Sequence, residues 1–175
     1  MTMPLERIKI VTEIVTAWVG LIALVAGGIF AIVQYLDKEQ GDRVKASLDL
    51  LIRYNDKHVV EARLRLTDVW AREEDALETL VRKPAVAISE INSFVITTIK
   101  VDGLHTSIDT MVDFYDLVEV CIEKKLCDRT AARALFARSA KSFFMLHYPF
   151  LAQLRTNRND QSYAMPLQEL AVAKY

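Results

Sequence analysis

The chain has 175 residues with 22 basic and 23 acidic side chains, and a net charge of −1 supplies no global field for nucleic acid or an anionic surface. Five Gly, four Pro and no Ser-, Gln- or Pro-rich tract leave too few punctuators for many short strands, so the composition points to helices. No internal repeat is present at periods of roughly 20–50 residues.

In chain order, Pro4 suits a first helical turn, and residues 1–13 form a short tail. Residues 14–36 then run without a charge, from Ile14 to Leu36, bounded by Glu13 and Asp37, with Trp18 and Tyr35 toward the two ends. At about 1.5 Å per residue this run is long enough to cross a hydrocarbon core of about 30 Å, which predicts a transmembrane helix. It is longer than the apolar region of a signal peptide, so it reads as an uncleaved membrane anchor. Thr16, Gly20, Ala23, Gly27, Phe30, Ala31 and Gln34 recur at three- and four-residue spacing along it. Small residues in such a strip let a second helix approach closely, which implies a membrane protein partner or a homo-oligomer. Arg7 and Lys9 before the run, against Lys38, Arg43, Lys45 and Arg53 after it, favour a cytoplasmic domain, by four charges to three once the α-amine is counted.

Residues 37–175 are enough for one soluble domain. Gly41 marks a joint or a weakened turn behind the span. From Arg43 to Tyr54, Val44, Leu48, Leu51 and Ile52 follow the helical period and are expected to face inward; Asn55 and Asp56 then stop one helix and cap the next. That second helix runs to about Glu73 with Val59, Leu66, Val69 and Trp70 inward, and Ala76, Leu77, Leu80 and Val81 extend or restart it before Pro84. The segment 85–101 is rich in β-branched residues, yet no second strand is available to pair with it. Ile88, Ile91, Val95 and Ile99 form one helical face, so it is read as a helix. Leu104, Ile108, Met111, Tyr115, Val118 and Ile122 give the cleanest amphipathic pattern and predict a central core helix ending near Leu126.

Cys121 and Cys127, about 120° apart on such a helix, read as free thiols, in keeping with a cytoplasmic domain. Asp128 caps a further helix carrying Leu135, Phe136, Phe143 and Phe144; Pro149 is expected to kink or interrupt it, and Pro166 to open a short C-terminal helix after a polar loop. The fold class is therefore all-α, a bundle of about five to seven helices behind one membrane helix.

His105, Asp109, Asp113 and Asp116 fall near one helical face, a candidate metal set. Without the Glu-x-x-His pair of carboxylate-bridged bundles they read as a solvated acidic face, and no metal or other cofactor is expected. His58 and His147 have no ligand spacing and read as surface or boundary residues. Arg129, Arg133, Arg138 and Lys141 could contact an anionic ligand or lipid. They lack interleaved stacking aromatics, so nucleic acid is not an expected partner. No phosphate loop, nucleophile elbow or zinc motif occurs, and the chain reads as non-enzymatic.

The membrane run followed by Asp113-Phe114-Tyr115-Asp116, Lys124-Lys125-Leu126-Cys127-Asp128, Tyr148-Pro149-Phe150-Leu151 and Leu154-Arg155 resembles an uncharacterised family of short bacterial membrane-anchored proteins with a helical domain of unknown function. The resemblance covers roughly Leu48 to Arg155 and implies the architecture, with no catalytic residues to carry over. These readings together anticipate an accessory, assembly or scaffold subunit of a bacterial membrane complex; the alternative is a membrane-tethered sensor binding an anionic ligand or lipid.

Overall fold

The computed structural model describes residues 34, 35, 37–82 and 87–172, and the chain divides into two compact units, Met1–Asp42 and Arg43–Tyr175. The anticipated span 14–36, with Thr16, Gly20, Ala23, Gly27 and Ala31, lies outside the described residues apart from Gln34 and Tyr35, which are helical and exposed. Among the described residues no helix is long and apolar enough to cross a membrane. Residues 37–54 are helical throughout, so the chain makes no turn at Gly41.

The second unit is all helix among the described residues. It consists of α1 (43–54), α2 (Lys57–Arg72), α3 (Glu74–Val81), α4 (Ile88–Val101), α5 (His105–Glu123), α6 (Arg129–Arg158) and α7 (Met165–Val172). The anticipated all-α bundle is thus observed, including a helical 88–101 despite its β-branched run. Packing decides that segment, because Val95, Thr98 and Ile99 are buried on one side of α4. Ile88, expected on the same face, is exposed.

Helix α5 is the hub. Its six predicted core positions are all buried, and α2, α6 and α7 pack on it while α4 packs on α6. Removing one such side chain, as in Ile108→Ala, costs about 2–5 kcal/mol because the surrounding helices cannot close the void. Helix α7 is held by three apolar residues, Leu167, Leu170 and Ala171, and by polar groups from two other helices. Asp116 accepts a hydrogen bond from the Leu167 backbone N–H at 2.8 Å and so caps α7 from α5. Arg155 donates to the Tyr163 and Ala164 carbonyls and to Gln168 Oε1, at 2.8, 3.2 and 2.9 Å.

Three sequence expectations are corrected. The first concerns α1, whose buried side is Ser47 and Leu50, with Ala46 and Tyr54 partly covered. Val44, Leu48, Leu51 and Ile52, expected inward, are 37, 51, 38 and 68 % exposed. The helix is fixed by a polar staple: the Asp128 N–H donates to Ser47 Oγ at 3.0 Å and to the Arg43 carbonyl at 3.1 Å. Tyr54 adds ring contacts to Phe114 and Phe136 at 5.0 and 5.7 Å.

The second concerns the cysteines, which form a disulfide, Cys121–Cys127. Helix α5 stops at Glu123 instead of continuing to Leu126. The Leu126 N–H reaches back to the Cys121 carbonyl at 2.9 Å and the Lys125 N–H to that of Ile122 at 3.1 Å, with Lys125 left-handed at φ 57°. This reversal brings the two Cα atoms to 5.3 Å, within disulfide reach.

The third is Pro149, which lies inside a continuous α6 of 30 residues. Proline removes one N–H from the ladder, and the helix continues through it with Phe144, His147, Phe150 and Leu151 buried around it. The predicted Asp128 cap is present, its carboxylate accepting the Ala131 N–H at 2.7 Å.

Candidate functional site: an aromatic groove

An open groove of about 510 Å³ is lined by α2 and α3, by α5 and α6, and by Tyr54 of α1. A groove of this size, mostly apolar with a few polar groups at its edge, is the usual form of a binding site. Trp70 comes from the last turns of α2, where helical spacing sets it beside Leu66, and Phe143 and His147 share a face of α6 one turn apart. The rings interlock: Phe143 lies 4.4 Å from His147 and 5.6 Å from Tyr115, and Trp70 meets His147 edge-on at 5.7 Å.

His147 is only 2 % exposed, which corrects its reading as a surface or boundary residue. Its Nδ1 lies 2.8 Å from the Phe143 carbonyl, an acceptor only, so Nδ1 carries the proton and donates it. Nε2 then accepts from the Trp70 indole N–H at 3.1 Å. Burial holds the imidazole neutral, with its pKa pushed down to about 4, against a smaller upward pull from the Phe143 carbonyl. Both ring nitrogens are spent, so His147 offers no lone pair to a substrate and cannot serve as a general base in this geometry. Burial also pushes the Tyr115 phenol well above its usual range, which keeps it neutral at any physiological pH.

The rim is mixed. Arg63 lies with its guanidinium 4.2 Å from the centre of the Tyr54 ring, while Glu74 stands on the α3 side and Thr67 and Ser142 offer hydroxyls. One cation and one carboxylate at the mouth do not select a ligand by net charge. Apolar walls and a two-signed rim suit the groove to an amphipathic guest.

The residues of the candidate acidic set do not converge. Asp109 accepts from the Tyr163 hydroxyl and lies 3.9 Å from Arg158, Asp116 caps α7, and His105 stacks edge-on against Phe150 at 5.0 Å. Asp113 instead lines a smaller hollow of about 250 Å³ with Arg53, Asp56 and exposed His58. Among the described residues no group of three or more His, Cys, Asp or Glu side chains could hold a metal ion. Asp116 is nonetheless perturbed: burial raises its pKa to about 6, with the Leu167 N–H opposing.

The basic set is also dispersed. Arg129, Arg138 and Lys141 are exposed, whereas Arg133 faces Glu119 across the α5–α6 contact at 3.6 Å. At about 100° per residue Arg138 sits half a turn from Arg129, so the four make no single stripe. Glu119 is 7 % exposed, and neither its Oε2 nor the Arg133 Nε has a hydrogen-bond partner. Burial accordingly raises the Glu119 pKa, with Arg133 opposing.

Sequence reasoning missed the groove, because Trp70, Tyr115 and Phe143 read individually as core residues, and aromatic residues at helical spacing carry no mark of an incompletely filled contact. A family model described as a domain of unknown function, DUF4760, matches residues 21–173. No curated protein matches. No solved structure matches either.

Proposed function

The chain belongs to the DUF4760 family, and from that premise we propose a non-enzymatic, single-pass protein of the bacterial inner membrane, serving as an accessory, assembly or scaffold subunit of a membrane protein complex. The observation that carries this reading is the groove. Its aromatic walls and two-signed rim suit an amphipathic helical segment of a protein partner, with apolar side chains entering between α2 and α6 and charges of either sign meeting Arg63 and Glu74. The uncharged run 14–36 supports anchorage beside such a partner. The alternative, an anionic ligand or lipid on Arg129, Arg133, Arg138 and Lys141, has less support, since Arg133 is engaged by Glu119. Flanking charges favour a cytoplasmic domain, whereas the disulfide favours an oxidising compartment. Labelling of intact and permeabilised cells with an impermeant reagent at an engineered surface cysteine distinguishes the two sides.

The test of function is mild detergent extraction of the native protein, size separation and mass spectrometry of what travels with it. The reading expects a membrane protein in stoichiometric amount, lost by tenfold or more in Ala71→Trp or Ser142→Trp, which place an indole in the groove from exposed positions. Migration alone, or a partner indifferent to both substitutions, would refute the groove as its seat.

A further inference from the structure

We propose that the Cys121–Cys127 bridge is a redox-controlled clasp, whose reduction by a dithiol frees the first turns of α1, residues 43–48, while the rest of the bundle stays folded. One peptide unit makes the connection. The peptide between Cys127 and Asp128 carries the N–H that donates to Ser47 Oγ at 3.0 Å and to the Arg43 carbonyl at 3.1 Å. Ser47 is fully buried, and its Oγ also lies 3.3 Å from the Asp128 carbonyl, so this end of α1 is seated on one residue of the α5–α6 turn. The Cys127 half of the peptide is fixed from α5, by the bridge and by the Cys127 N–H donating to the Cys121 carbonyl at 3.2 Å. Its Asp128 half is fixed to α6, through a carboxylate that accepts the Ala131 N–H and a carbonyl that accepts the Ala132 N–H at 2.9 Å. Without the bridge the first half is able to turn about the second, which takes the N–H off α1 and leaves α6 intact.

The bond is poorly placed to hold the fold and well placed to be opened. It joins residues 6 apart, and a loop so short restricts the unfolded chain little. The core beside it is complete in its own right, with Val118, Ile122, Ala132 and Phe136 buried. What the bridge does constrain is the turn itself. Residues 123–126 are exposed, and Lys125 is held left-handed at φ 57° without the freedom of a glycine, a conformation that relaxes once the turn is unpinned. Cys121 is half-buried and Cys127 is 3 % exposed, so an incoming thiolate meets the Cys121 sulfur. That attack breaks the S–S bond, forms a mixed disulfide between the reductant and Cys121, and expels Cys127 as a thiolate that takes up a proton. The second thiol of the reductant then displaces Cys121 as a thiol and closes the reductant into its own disulfide, so the dithiol is oxidised as the bridge is reduced. The clasp acts on α1 whether or not the groove holds a guest.

The test is hydrogen–deuterium exchange of the full chain, purified in mild detergent, before and after treatment with dithiothreitol in the absence of denaturant. Maleimide alkylation and mass measurement count the thiols that open. The clasp predicts that both cysteines become alkylated, that exchange in 43–48 becomes several-fold faster, and that exchange across 108–118 of α5 is unchanged. Reoxidation should restore the slow rate. Ser47→Ala removes one acceptor of the Asp128 N–H, so it should speed 43–48 in the oxidised protein and shrink the further effect of reduction. The double variant Cys121→Ser, Cys127→Ser should behave as the reduced wild type, which carries the test by itself should that variant fold poorly. A bridge that opens only in denaturant, a segment 43–48 indifferent to reduction, or an acceleration spread equally through α5 and α6 would overturn the clasp.

Discussion

Lowering the pH from 7.5 to 4.5 should destabilise the domain through one residue, His147. The imidazole is buried and neutral in the fold, with a pKa of about 4 against an ordinary 6.5. Between those two values the unfolded chain binds a proton that the folded one refuses, so stability is whole above 6.5 and is lost progressively as the pH falls toward 4. At about 1.4 kcal/mol per unit, the full shift amounts to about 3 kcal/mol, a large share of the stability of a domain of this size. Two acids work in the opposite sense. Asp116, raised to about 6, and Glu119, also raised, take up protons in the fold before they do in the unfolded chain, and so favour folding as the pH falls below about 6. Asp116 is only partly buried, so solvent screening discounts its share. Urea unfolding at 0.5 pH intervals for the wild type and for His147→Gln separates these terms, since both acids remain in the variant. The variant starts lower at pH 7.5 through lost packing, and the gap should narrow by about 2–3 kcal/mol on reaching pH 4.5. Parallel curves for the two proteins across that range would refute a buried, neutral His147.

The remaining predictions concern cross-links between elements. Denatured under non-reducing conditions, the purified protein should show no thiol titratable by a maleimide, and two after reduction; two free thiols at the outset would contradict the Cys121–Cys127 pairing. Arg155→Ala removes three hydrogen bonds that hold the approach to α7 and should cost about 2–4 kcal/mol. Amide exchange in 165–172 should accelerate while that of α5 holds, and unchanged exchange in α7 would dismiss the clamp. Arg133→Met leaves the Glu119 carboxylate buried without its counter-charge and should cost about 2–4 kcal/mol, whereas Arg133→Met with Glu119→Leu should recover most of that loss in denaturant titration. Equal losses in the single and double variants would mean that the ion pair is not desolvated.

Where one apolar stripe faced one core, the sequence was sufficient. The four-three alternation from Leu104 to Ile122 predicted the hub helix residue by residue, and Asp128 announced the next helix with a cap whose geometry is local. Where two surfaces competed, periodicity failed. Helix α1 carries an obvious aliphatic stripe that stays outside, while a fully buried serine marks the side that docks, and only the distant Asp128 backbone explains why. The cysteine pair was misread because rotation about a helix axis was applied beyond the point where the helix ends. A left-handed Lys125, which lacks the usual glycine signal, hides that end. Pro149 was overweighted because a single missing donor is a small loss beside four buried neighbours. The groove is a property of what side chains leave unfilled between elements, and no local pattern encodes that.

Tyr54 lines the groove and is also the last residue of the helix whose outward face carries Val44, Leu48 and Leu51. One helix thus joins an exposed aliphatic face to the lining of the groove. A contact that displaced α1 would move a residue against which a guest in the groove rests, and binding events linked in this way obey reciprocity: whatever factor the guest applies to the contact, the contact applies to the guest. The outward face of α1 and the groove would then sense one another through one tyrosine ring.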